Sequence, residues 1–257
     1  MLKASESYVR KLVEEEMRVD ERKFDEFRPI KIEKNIIKTA EGSARVMIGN
    51  THILVGVKMS VGEPFPDTPN EGVLMVNAEL VPVASPTFES GPPNENAIEL
   101  ARVVDRGIRE SHCIDLESLC IEEGKKVWIV NVDIHVLDHD GNLIDASAIG
   151  AIAALLVTKV PKYENEKIKL SEYERDLPVR DIPVAITTVK IGDKLLIDPT
   201  VEEEEALDAR MTLATNEEGK ICAGQKGGDG YLTTAELEKA ADLSILKGKE
   251  IRNLIKG

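Results

Sequence analysis

The chain has 257 residues, 42% of them hydrophobic, with 33 lysines and arginines against 47 aspartates and glutamates and a formal charge of −14. That length suffices for one substantial core or two intimately packed halves, and the acidic balance excludes a free-standing nucleic-acid binder that works by bulk charge. If any surface meets RNA, a basic partner has to complete the electropositive channel.

Ser5 or Ser7 can cap an N-terminal helix whose apolar positions Val9, Leu12, Val13 and Met17 recur at helical spacing. Strand patterns follow. Ala44, Val46 and Ile48 alternate up to a Gly49-Asn50 turn, and Ile53, Val55, Val57 and Met59 alternate beyond it, which predicts a hairpin with one buried face. A proline-rich crossing (62–70) leads to a strand at 73–81 that Pro82 ends or pushes to an edge. Past Pro86, Pro92 and Pro93, Asn94 is a candidate cap for a helix. A long strand at 127–137, a turn at Asp140-Gly141 and a helix capped by Asp145 come next, and the apolar run 148–157 marks that helix as buried on all sides. The polar segment 162–174 reads as a flexible loop. Strands are expected at 182–189, 194–197, 211–214 and 220–224, and Thr233 with Glu236 forms a capping box for a last helix carrying Leu237, Ala241, Leu243 and Ile251.

The helix NAIELARVVDRGIR (96–109) is the most informative stretch. At about 100° per residue, Arg102, Arg106 and Arg109 share one sector, while Leu100, Ala101, Val104 and Ile108 take the opposite side. Planar guanidiniums in a row suit a run of phosphates, since each fork can bind phosphate oxygens in a bidentate way and stays charged. The alternative is a solvated amphipathic face on which Glu99 and Glu110 pair with the arginines. Three cysteines (Cys113, Cys120, Cys222) lack CxxC spacing, and the N-terminal stretch is charged throughout, so the cytoplasm is the expected compartment. The longest apolar run is too short to span a bilayer, and no membrane role is expected. His135 and His139 could share one side of a strand, yet no neighbouring spacing completes a metal site, and neither metal nor cofactor is expected.

Taken in order, MRVDERKFDEFRPI (17–30), GSARVMIGNTHILVGV (42–57), ENAIELARVVDRGIR (95–109) and LPVRDIPVAI (177–186) resemble the RNase PH superfamily of phosphate-dependent 3'→5' exoribonucleases over nearly the whole chain. Within it, the chain is most similar to the non-catalytic RNase PH-like subunits of the archaeal exosome. The resemblance implies an α+β, RNase PH-like fold of two packed halves with related α/β topology. Its parts would be an N-terminal helix and arm (1–28), a first half (29–160), a connecting loop (161–177) and a second half (178–257). It also implies a six-membered ring shared with a catalytic RNase PH-like subunit, RNA-binding cap proteins on that ring, and single-stranded RNA as the ligand.

Active members of the superfamily cradle phosphate with an arginine ahead of the recognition helix and a Gly-Ser backbone nest after a core strand. Here those positions read Asn96 and the segment 215–219 (Thr-Asn-Glu-Glu-Gly). A glutamate about 5 Å from a phosphate oxyanion costs roughly 3 kcal/mol at an effective dielectric of about 20, so Glu217 and Glu218 are expected to repel the co-substrate. The family's spaced carboxylates align with Glu204 and Asp208, a further aspartate with Arg210, and the acidic run 202–205 reads as a solvated face. No catalytic residue is therefore expected, and the resemblance assigns RNA binding to Arg102 and Arg106, with Arg109 a less certain third. The alternative is an active phosphorolytic exoribonuclease that uses Glu204 and Asp208.

Overall fold

The computed structural model describes residues 5–257, the side chain of Leu170 excepted; the first four residues of the 1–28 arm lie outside them. Helix α1 (Glu6–Glu14) buries Val9 and Val13 against Val189, Ile191, Leu196 and Ala206 of the second half. Ser5 holds the cap position, but its hydroxyl bonds the Ser7 hydroxyl (3.1 Å) instead of the helix. Met17, expected on the apolar stripe, is exposed: the helix ends at Glu14 and the chain turns at Glu16 (φ 59°). Its neighbour Arg18 is buried instead.

The first half is a sheet built from β1 (Ile30–Lys34), β2 (Gly42–Ile48), β3 (Thr51–Gly62), β4 (Val73–Leu80), the short β5 (Cys120–Glu122) and β6 (Lys126–Asp138). Its spatial order is β1-β2-β3-β6-β4, with β5 paired to the end of β6. The β2–β3 hairpin has the register its alternation predicts, Val46 opposite Ile53 and Ala44 opposite Val55. Gly49 makes the turn at φ 56°, where a Cβ would also meet the Arg28 side chain at 2.7 Å. Strand β4 runs parallel to β6, which requires a crossover, and α2 (Glu95–Glu110) supplies it. Helix α3 (Leu143–Leu155) is buried from Ile144 to Leu155, as its unbroken apolar run requires. Gly150 lets it approach the sheet, since a Cβ there would lie 2.9 Å from Val55 Cγ2.

The cap of α3 differs from the expectation. Asn142 holds it in a left-handed conformation (φ 54°), while Asp145 lies inside the helix, fully buried. Its carboxylate accepts from the Thr187 N–H (3.0 Å), the Thr187 hydroxyl (2.7 Å) and the Asn142 amide (3.0 Å). Asp145 thus fastens the central helix to a strand of the other half.

The segment expected as a loop is a hairpin of β7 (Lys159–Glu164) and β8 (Lys167–Asp176), closed by Asn165 and Glu166, both at positive φ (52° and 61°). Charges on both of its faces hid the alternation that identifies half-buried strands. The second sheet, order β10-β9-β11-β12, is antiparallel throughout: β9 (Val184–Ile191), β10 (Lys194–Ile197), β11 (Ala209–Thr215) and β12 (Ile221–Gly227), with α4 (Val201–Ala206) between β10 and β11. Helix α5 (Thr234–Lys256) carries the expected capping box. It faces inward along Ala240, Ser244, Gly248, Ile251, Arg252 and Ile255, whereas Leu237 is exposed. The register is set by small residues and by Arg252, which donates to the Ile182 carbonyl (2.8 Å) and the Thr215 carbonyl (2.6 Å). One hydrophobic core runs from Ala44 of β2 through α2 and α3 to Ile255 of α5.

Candidate nucleic-acid interface and the neighbouring cavity

Helix α2 is capped as predicted, the Asn94 side chain accepting from the Ala97 N–H at 3.0 Å. Its inner face is Ala97, Leu100, Ala101, Val103, Val104 and Ile108. Arg102 is exposed and, among the described residues, takes part in no hydrogen bond or ion pair. Arg106 is half-buried and donates through Nη2 to Gln225 Oε1 of β12 at 2.8 Å. The two arginines line one groove of about 270 Å³ between α2 and β12, together with Glu95, Ile98, Glu99, Val103 and Gln225.

Arg109 leaves the stripe. It forms an ion pair with Asp105 (2.7 Å) and donates to the Leu74 carbonyl (3.1 Å), on the wall of a different groove that carries Asp67, Glu71, Glu110, Asp115 and Glu117. Its charge is already matched. Of the two glutamates offered as alternative partners for the stripe, Glu99 instead reaches across to Arg210 of β11 (2.7 Å). Arg102 and Arg106 are therefore not neutralised from their own helix.

Beside this groove, Asn96, Glu99, Glu204 and Arg210 line a cavity of about 190 Å³ with Phe88, His139 and the first residues of α3, Leu143 and Ile144. The Glu204 carboxylate accepts from the Asn142 N–H at 2.9 Å, where α3 presents its positive end. Enclosure pushes the Glu204 pKa from its ordinary 4.5 up to about 7, against the Asn142 hydrogen bond and the nearby Arg210 and Arg28, which favour ionisation. The N–H at the head of α3 is thus taken up by the protein's own carboxyl group. Asp208, four residues on, is turned elsewhere, to Arg10 Nη2 (3.0 Å) and the Gly192 N–H (2.7 Å), and the Arg10 bond holds its carboxyl below the usual range. Glu204 and Asp208 do not converge.

The expected second half of the cradle, 215–219, does not meet Asn96. It forms the β11–β12 turn, five residues along the strand from Arg210, about 17 Å away at strand rise. There the Glu217 N–H bonds Asp181 (2.9 Å), the Glu217 carboxylate pairs with Lys256, and Glu218 pairs with Lys220 at 2.5 Å. Glu217 and Glu218 are not among the residues lining the cavity; the carboxyl groups that line it are those of Glu99 and Glu204. The backbone beside Asn96 is the start of α3, and the strand-Gly-helix passage at 138–143 was the available signal.

The acidic run 202–205 is not a solvated face either. Glu203 is fully buried and receives two hydrogen bonds from Arg18, itself buried, at 2.8 and 2.6 Å. Next to this pair, Asp198 accepts from Arg28 (2.7 Å), Arg22 (2.8 Å) and Asn142 (2.8 Å). Burial alone would raise the Asp198 carboxyl, but the Arg28 guanidinium outweighs it and the pKa lies below the ordinary value. Burial dominates at Asp145, which is pushed up to about 7. His135 pairs with Glu79 (3.0 Å), while His139 lies beyond the end of β6 and stacks on Phe88 (5.3 Å), so the two histidines do not share a strand face.

Two α/β halves around one central helix, with a cavity at that helix's N-terminus, define an RNase PH-type architecture. The chain belongs to the 3' exoribonuclease family: residues 26–161 match its domain 1 and residues 181–245 its domain 2. It is 54% identical over 242 residues to the exosome complex component Rrp42 of Methanopyrus kandleri, covering 93% of this chain and 91% of that one. Against Rrp42 of Pyrococcus furiosus it is 52% identical over 252 residues, 96% of this chain and 91% of the relative. Its structure is similar to a chain of the Archaeoglobus fulgidus exosome with RNA bound to the active site (TM-score 0.91, 53% identity, 96% of each chain). Rice Rrp46, at 17% identity and a TM-score of 0.72 over 93% of this chain and 98% of its own, shares the fold.

Proposed function

We propose that this chain is a catalytically silent subunit of an exosome-type ring that degrades RNA from the 3' end. It pairs there with an active RNase PH-like subunit in the cytoplasm, beneath RNA-binding cap proteins, and lends Arg102 and Arg106 to single-stranded RNA. The relatives named exosome components cover nearly its full length, which supports the assembly. The silence rests on one observation: Glu204 holds the N–H at the head of α3 while Glu99 holds Arg210 and Asn96 stands uncharged beside them. A phosphate entering that cavity would meet a carboxylate and no free cation. Phosphorolysis needs the opposite, donors and cations aimed at the transferring phosphoryl group.

The purified chain, alone and with its active partner, can be assayed for phosphate-dependent release of nucleoside diphosphates from RNA. The expected outcome is none from the chain alone and turnover from the pair. Asn96→Arg should not create activity in the isolated chain, because Glu204 and Glu99 keep their partners. Turnover by the isolated chain, lost on Asp208→Ala, would instead establish the enzyme reading.

A further inference from the structure

Arg106 is held by a relay that links the two halves of the molecule. A guanidinium can only donate, so the Gln225 oxygen faces Arg106 (2.8 Å) and its amide nitrogen faces the Glu99 carboxylate (3.4 Å), which also receives Arg210 (2.7 Å). The Gln225 nitrogen has a further acceptor in the Lys226 carbonyl at 3.3 Å. Only a side chain that accepts at one end and donates at the other fits between an arginine and a glutamate. A carboxylate at 225 would satisfy Arg106 but neutralise it and repel Glu99; an ammonium would satisfy Glu99 and repel Arg106. An amide orients the guanidinium through one N–H and leaves its positive charge unspent.

We propose that Gln225 is a positioning residue for RNA: it fixes the Arg106 guanidinium on the wall of the α2–β12 groove, beside Arg102, which is unpaired among the described residues, as a preset phosphate contact. This rests on the reading of Arg102 and Arg106 as RNA ligands. Ordering a long arginine before the ligand arrives removes part of the entropy cost of the contact. The relay also explains why Glu99, one helical turn from Arg102 and two from Arg106, neutralises neither: it is engaged by Arg210 and Gln225.

The test uses the ring assembled with its active subunit, in phosphate-free buffer so that phosphorolysis cannot run, with a labelled single-stranded oligoadenylate and a salt titration. Gln225→Met keeps the bulk and removes the relay; it should weaken binding about fivefold at low salt, the scale of one lost hydrogen bond's worth of positioning. In an Arg106→Ala background the same substitution should change nothing, which a general structural role would not predict. Gln225→Glu should imitate Arg106→Ala and lower the salt slope by about one. If Arg106→Ala leaves binding unchanged, the RNA reading itself fails and the relay with it. If Arg106→Ala weakens binding but Gln225→Met does not, or loses as much with Arg106 absent, the positioning role is wrong while the RNA reading stands.

Discussion

The groove between α2 and β12 and the junction at the head of α3 lie side by side, yet they treat charge in opposite ways. At the junction, Arg18, Arg28 and Arg210 each face a carboxylate, and Glu204 caps a helix N–H. In the groove, Arg102 has no partner among the described residues and Arg106 has only a neutral amide. Matched charges hold the halves and the arm together, whereas unmatched ones remain available to a ligand. An acidic protein can therefore still leave two cations uncompensated on a small surface, because Glu99 is engaged by Arg210.

The sharpest way to break this contrast is to unmatch a buried charge. Glu203→Ala leaves Arg18 buried without its carboxylate and should cost about 3–5 kcal/mol of stability, read from denaturant midpoints. Replacing both residues with apolar ones should cost much less. A loss below about 1 kcal/mol in the single variant would mean that the pair is not the clasp described.

A smaller effect concerns Glu204, whose folded-state pKa of about 7 lies above its ordinary 4.5. Between those values the folded protein holds a proton that the unfolded chain has released, so this group's contribution falls as pH rises, by at most about 1.4 kcal/mol per unit. It levels off above pH 7. Glu204→Gln removes the titration, and the stability of that variant relative to the parent should climb from pH 5 to pH 7. Parallel curves for the two proteins across that range would show that Glu204 is ionised throughout, and that the cavity tolerates an anion better than its enclosure implies.

The smallest effect belongs to the groove. Arg102→Ala should move stability by no more than about 0.5 kcal/mol, since the exposed side chain has no charged partner among the described residues, and thermal unfolding can check it. A loss comparable to that of Glu203→Ala would erase the distinction between the two regions.

Much of the frame was legible in local pattern. The hairpin of β2 and β3, the face and cap of α2, the buried α3 and the capping box of α5 all follow from spacing over a dozen residues or fewer. What escaped depends on partners far apart in the chain. Arg18 and Glu203 are 185 residues apart, and neither period nor composition says that an acidic run will close over an arginine from the arm. Asp145 looked like a cap because caps are local, while its acceptor role needs Thr187 of the other half. The cradle was misplaced for the same reason: 215–219 follows a core strand, as the resemblance requires, but only the fold decides which turn lies beside Asn96. Arg102, Arg106 and Arg109 share a helical sector in projection, yet Leu74 and Asp105 draw the last one away.

The central claim is that this chain gives RNA two cations and no chemistry. Its most direct test is a salt titration of RNA affinity for the assembled ring carrying Arg102→Ala and Arg106→Ala together, beside the parent, in phosphate-free buffer. Two lost phosphate contacts should weaken binding regardless of base sequence and flatten the slope of log affinity against log salt by about two. Equal affinities and equal slopes, in a ring that assembles normally, would make the groove an ordinary solvated face and contradict the account.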